Sequence, residues 1–233
     1  MNKWIYFALI AQGIWAICSL IDKFIISKGH IKNPAVFIVL NGFTNLFLIF
    51  LLPFVEFTSL NFTDFLIAVF AGATFAISVS FYYKAIQYDE ISRVVMLYQI
   101  TPVFVLFLSF FLIGEILTKN HFLGFLFLIS AGLIVSYKKV EKMFRLSKAF
   151  YYMLVSAFFA ALTIVSGKYI YTVANFWGAF LWLRLTAICS VGVLLIPSIR
   201  SQFVETFKKM DVKVKRLLAF KMVIDFSSFI FSV

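Results

Sequence analysis

Apolar stretches without a single charge recur along the chain, separated by short polar breaks. They occupy 4–21, 33–55, 65–83, 94–114, 120–137 and 149–167. The stretch 169–199 is broken only by Arg184, and 217–233 only by Lys221 and Asp225. The stretches are too long for membrane β-strands and do not alternate in polarity as such strands do. A helix of about 20 apolar residues crosses the hydrocarbon layer, where it satisfies its own backbone N–H and C=O groups. The pattern therefore predicts an all-α membrane protein, a polytopic helix bundle with eight transmembrane helices. The first stretch has one basic residue before it, an apolar core longer than a signal peptide's, and no small-residue cleavage site before Asp22-Lys23. It is expected to be a retained helix.

Composition agrees with that class. Hydrophobic residues make up 63% of the chain and charged residues 13%, against about 25% charged in soluble domains. The net charge of +11 lies in the loops between spans, so it points to the lipid bilayer and not to nucleic acid. Cys18 and Cys189 each fall in mid-helix, with no C-x-x-C and no His/Cys cluster. No disulfide, metal or other cofactor is expected. His30 and His121 stand at span ends, and the adjacent acids Asp89-Glu90 lie in a loop. No catalytic residues are expected, which disfavours a membrane enzyme; a non-transporting scaffold or a channel remains the alternative to a transporter.

Loop charges set the orientation. The odd-numbered loops hold 14 Lys and Arg, 11 of them in the stretches 138–148 and 200–216, whereas Lys3 and Lys119 are alone on the other side. The positive-inside rule then places both basic loops in the cytoplasm and the N-terminus outside, in a multi-pass protein of the cytoplasmic membrane.

An internal repeat is visible. Residues 15–43 and 160–186 each hold a helix ending in Lys-aromatic (Lys23-Phe24, Lys168-Tyr169), a short connection to Asn33 or Asn175, and a second apolar helix with a polar residue near its middle, Asn41 or Arg184. Five crossings separate the first and sixth helices, so equivalent helices run in opposite directions. Inverted repeats of this kind place a solute site near the midplane. One unit is expected over 1–138 and a second, of three helices, over 148–233.

Residues 81–136 carry a more specific pattern: Tyr82 and Ala85, Thr101-Pro102 within the fourth helix, Gly114-Glu115 closing it, then Thr118, Gly124 and Gly132. This resembles the EamA family of the drug/metabolite transporter superfamily. The resemblance implies ten helices in two inverted five-helix repeats and export of metabolites, amino acids or drugs. Two departures stand out: helices nine and ten are absent, and the family usually has a cytoplasmic N-terminus. On the repeat spacing, a complete copy is expected to reach about residue 282, and the 233-residue form to transport poorly.

Arg184 lies in mid-span, where an arginine costs at least ~2.5–3.5 kcal/mol and normally faces a cavity or a partner. It either touches the solute pathway or forms a structural ion pair. Asp225 is its plausible counter-charge, or else pairs with Lys221 one turn back. Lys23 and Lys168 near span ends either snorkel to the interface or line the pathway. Pro102 removes a backbone hydrogen bond and frees the Tyr98 carbonyl, predicting a kink, with Tyr98 and Gln99 as lining groups. Glu115 is expected at the interface. Gly72, Ala76 and Ser80 form a small-residue stripe for close helix packing. Tyr82, Tyr83, Tyr151, Tyr152 and Trp177 are expected in the aromatic belts. The expected partners are a small-molecule solute, the bilayer and a possible second copy of the chain.

Overall fold

The computed structural model describes residues 3–28, 31, 33–46, 52–114, 118–140 and 143–231. Among these run α1 (Lys3–Ser27), α2 (Pro34–Leu46), α3 (Phe62–Tyr88), α4 (Ile91–Tyr98), α5 (Thr101–Ile113) and α6 (Lys119–Ser136). A short antiparallel hairpin follows, β1 (Tyr137–Val140) and β2 (Met143–Leu146), with Tyr137 paired to Leu146. Then come α7 (Lys148–Val173), α8 (Phe176–Thr186), a 3₁₀ segment (Ala187–Leu195), α9 (Pro197–Lys209) and α10 (Val212–Phe231). Five stretches are long and apolar enough to cross a bilayer: Leu9–Ser27, Phe62–Tyr88, Ile91–Ile113, Lys148–Val173 and Phe176–Leu195. Their outward faces carry large apolar side chains such as Phe70, Phe107, Phe111 and Phe158, as lipid contact requires.

The charges that close the apolar runs do not close the helices. α1 continues past Asp22-Lys23 to Ser27, and α7 past Lys168 to Val173. Each runs on for more than a turn, with Lys23 turned inward to the end of α3 rather than ending its helix. Local signals set the other ends. The Ser147 side chain accepts from the Phe150 N–H at the start of α7, and Asn175 from the Gly178 N–H at 2.7 Å at the start of α8. Gly114 ends α5 with φ of 75°, a conformation open to glycine.

The fourth apolar run is broken where its proline stands. α4 stops at Tyr98 and α5 begins at Thr101, with Pro102 in its first turn. The backbone between them turns through shorter bonds, Gln99 N–H to Met96 and Ile100 N–H to Leu97. The freed Tyr98 carbonyl accepts from the Thr101 hydroxyl at 2.6 Å.

A second irregularity lies in the seventh run, where α8 tightens into the 3₁₀ segment at Thr186. Two glycines meet it there. A Cβ on Gly72 of α3 would run into the Thr186 carbonyl, and one on Gly42 of α2 into the Ser190 side chain. Only glycine lets these backbones approach so closely.

Connections at one end of the bundle touch one another. Lys23 reaches the end of α3, Lys148 lies 6.0 Å from the Tyr88 ring centroid, and Asn33 donates to Gln202 at 2.6 Å. At the opposite end Trp182 donates to the Thr58 carbonyl at 2.8 Å, and Asn175 to that of Glu56 at 3.3 Å. The main buried core sits at the first of these ends, built from Ile25, Ile31, Phe37, Ile86, Leu97, Met153, Met210 and Leu218. The stretch 138–148 is thus largely hairpin rather than open loop, and 200–216 is mostly the helix α9 with the first turn of α10.

Candidate functional site

On α10 the buried residues Val214, Leu218, Lys221 and Asp225 fall on one face, spaced three or four apart. On α1 the buried Ala11, Cys18, Asp22 and Ile25 do the same. Packed antiparallel, the two faces set Ile25 opposite Leu218, Asp22 opposite Lys221 and Cys18 opposite Asp225. The apolar stripe of α10 therefore turns ionic just above the main core.

Lys221 Nζ lies 3.0 Å from Asp22 Oδ1 and 3.6 Å from Asp225 Oδ2. All three residues are less than one-tenth exposed. The Tyr83 hydroxyl donates to Asp22 Oδ2 at 3.0 Å, and the Cys18 thiol is in hydrogen-bonding reach of Asp225. Aromatic rings wall the cluster. Phe37 stacks on Tyr83 at 4.6 Å, and Tyr82 sits edge-on to Tyr83 at 5.5 Å and to Tyr98 at 6.0 Å.

Taking ions out of water costs several kcal/mol each, and the cost is offset only by close pairing and hydrogen bonds. Two carboxylates and one ammonium leave one negative charge over. Arg184 is a positive group within the field of that cluster. It is half-buried on α8, its Cζ 5.6 Å from the Phe180 ring centroid, within electrostatic reach of Tyr171 and Asp225. At 1.5 Å per residue Arg184 stands ~12 Å along its span from Phe176, well inside the bilayer thickness.

The predicted site residues separate into groups. Asp225 belongs to the cluster, Arg184 lies in its field, and Tyr98 reaches it through the Tyr82 ring. Lys23 is a structural anchor: its Nζ donates to the Ile86 and Asp89 carbonyls, both at 2.7 Å, closing the end of α3. Lys168 is exposed on α7, and Gln99 and Pro102 are exposed beside the α4–α5 break. Asn41 belongs to α2, but its side chain lies outside the described residues, as does Glu115. Tyr83, expected in the aromatic belt, is instead buried, because its hydroxyl finds the Asp22 carboxylate inside the bundle. The small-residue contact of α3 runs through Ala68, Ala71, Gly72, Thr74 and Ser78, while Ala76 and Ser80 stay half-exposed.

The expected alternative pairing of Asp225 with Lys221 is present at 3.6 Å, whereas Asp22 and Tyr83 are the members that sequence reasoning passed over. The available signal was the shared spacing of 18, 22 and 25 on α1 with 214, 218, 221 and 225 on α10. Among the described residues no three His, Cys, Asp or Glu gather as metal ligands.

Apolar membrane-length helices that enclose a cluster of ionisable side chains define a multi-pass membrane protein with a polar interior. A sequence profile described as the EamA-like transporter family matches residues 2–137. That is more than half of the chain, and the protein belongs to this family of membrane transporters, within the drug/metabolite transporter superfamily. The matched region contains Asp22 and Tyr83 but neither Arg184 nor the ions of α10. No curated protein and no solved structure matches the chain significantly.

Proposed function

We propose that the chain exports a small zwitterionic solute of the amino-acid type across the cytoplasmic membrane by alternating access. Asp22, Lys221, Asp225 and Arg184 form the polar part of its path. The observation that carries this reading is the Lys221 ammonium shared between two buried carboxylates. A solute ammonium can take the place of Lys221 at Asp225 while the solute carboxylate faces Arg184. Each charge then exchanges one partner for another and none is left bare in a low-dielectric interior. A purely structural contact would be held as well by apolar side chains of similar size.

Two repeated units, 1–138 and 148–233, fit the same reading. A shift of 145 residues carries Lys3–Ser27 onto 148–172, and α7 is Lys148–Val173. Asn33 accepts from the Ala35 N–H at the start of α2, as Asn175 does from Gly178 at the start of α8. Eight crossings follow when α2, α6 and α10 are counted with the five long spans.

The transport test uses the full chain in proteoliposomes and counterflow of labelled neutral amino acids, set against amine-only and carboxylate-only analogues. Zwitterions should exchange measurably faster than either analogue, even at the low flux expected of the 233-residue form. Arg184→Ala should lose at least about tenfold of that flux with insertion intact, and Arg184→Lys should recover part of it, lacking the planar fork. No zwitterion flux, or full flux in Arg184→Ala, rejects the proposal. The basic end, carrying 138–148 and 200–216, is assigned to the cytoplasm. In a Cys189→Ser background, a cysteine at Ser147 or Ser201 should resist an impermeant thiol reagent on intact cells; strong labelling from outside reverses the orientation.

A further inference from the structure

We propose that the groove between the end of the 3₁₀ segment and α9 binds the headgroup of an anionic phospholipid. The groove has a volume of about 640 Å³ and is open along one side. Its floor is Leu194 and Leu195, the last residues of a membrane-length span, with Leu195 almost fully exposed. Its walls come from α9, which turns two neighbouring stripes toward it. One stripe is Arg200, Val204 and Lys208; the other is Pro197, Ser201 and Glu205. Apolar floor and basic wall thus meet where the hydrocarbon layer gives way to headgroups, which is where a phospholipid presents acyl chain and phosphate together.

α9 is fixed in that position. Phe203, on its inward face, lies 6.3 Å from Phe43 and 5.1 Å from Phe207, and Gln202 is bonded to Asn33. Lys209 is taken up by Glu205 at 2.6 Å, which neutralises the acid that lines the groove. Arg200 and Lys208 remain one turn to either side of Val204, both exposed on the stripe that lines the groove. Charge selects the occupant. The lining carries three basic side chains, Arg200, Lys208 and Lys209, against Glu205. A zwitterionic headgroup offers that field no net charge, whereas an anionic one does. The groove lies on a different part of the molecule from the α1–α10 ions, so the inference stands without the transport reading.

The test is retention of lipid by the purified full chain after reconstitution in phosphatidylcholine bilayers containing a minor fraction of phosphatidylglycerol, read by native mass spectrometry. Phosphatidylglycerol should be retained above its bulk share. Arg200→Gln with Lys208→Gln should lower retention by about 30-fold, roughly fivefold for each basic side chain near the surface. Lys213→Gln with Lys215→Gln removes equal charge from α10 outside the groove and should leave retention within about twofold. Equal loss in both pairs, or no enrichment in the parent chain, would reduce the effect to diffuse loop charge and overturn the site. Displacement of the lipid by soluble glycerol 3-phosphate would reassign the groove to a free phosphate compound and overturn the lipid assignment.

Discussion

Along α3 and α7 the helices meet through small residues and hydroxyls. Ser78 and Ser156 each donate to the other's backbone carbonyl at 2.9 Å, Thr74 and Thr163 share a bond of 2.9 Å, and the Tyr169 hydroxyl donates to Asp64 at 3.0 Å near one end. Between them lie Ala68, Ala71, Gly72, Ala157, Ala160 and Ala161, which bring the backbones close. Along α1 and α10, also antiparallel, the middle of the contact is instead Asp22, Lys221 and Asp225. Apart from Asp64 near one end, the first pair binds with neutral groups that satisfy one another in place. The second holds ions that stabilise the fold no better than apolar side chains would, and in the proposed transport their use lies in exchanging partners. On that reading the difference separates a fixed wall of the bundle from a working one.

The comparison breaks most visibly at Lys221. Lys221→Met strands two carboxylates in the interior and should cost about 3–5 kcal/mol, read as a loss of resistance to unfolding in mixed detergent micelles. Adding Asp22→Asn and Asp225→Asn to that variant should restore most of the stability while solute exchange stays absent. A Lys221→Met chain as stable as the parent would mean that the carboxylates are protonated and the cluster is no ion pair. The opposite treatment of the other pair should do far less. Ser78→Ala with Ser156→Ala should cost on the order of 1 kcal/mol, as interhelical hydroxyl bonds in membranes average about 0.6 kcal/mol, and transport should persist. Transport lost at unchanged stability would make α3–α7 a moving element as well.

The same contrast explains what could be read in advance. Runs without charge gave the five long spans to within about two turns, and Pro102 gave the α4–α5 break, because both effects act within a few residues of the chain. Arg184 and Asp225 stood out as charges inside apolar runs. Asp22 did not, since it sits beside Lys23 and looks like the polar end of a span. Its partner is 199 residues away in sequence, and only the packing of α10 on α1 turns a boundary residue into a buried one. Tyr83 was legible as an aromatic near a helix end, but its hydroxyl takes its meaning from that same carboxylate. The 3₁₀ segment has no local signal at all; its geometry goes with the approach of Gly42 and Gly72 from two other helices.

That segment also changes the reach of its span. A 3₁₀-helix rises about 2.0 Å per residue, so Ala187–Leu195 covers about 18 Å, where an α-helix of nine residues covers about 13.5 Å. With the eleven residues of α8 the span extends to about 34 Å, a little more than the ~30 Å hydrocarbon layer, although it has only twenty residues. Rewinding the segment to α would draw its two ends about 4.5 Å closer together. The winding of this segment thereby sets how far the span reaches across the bilayer, and with it the depth at which α9 begins.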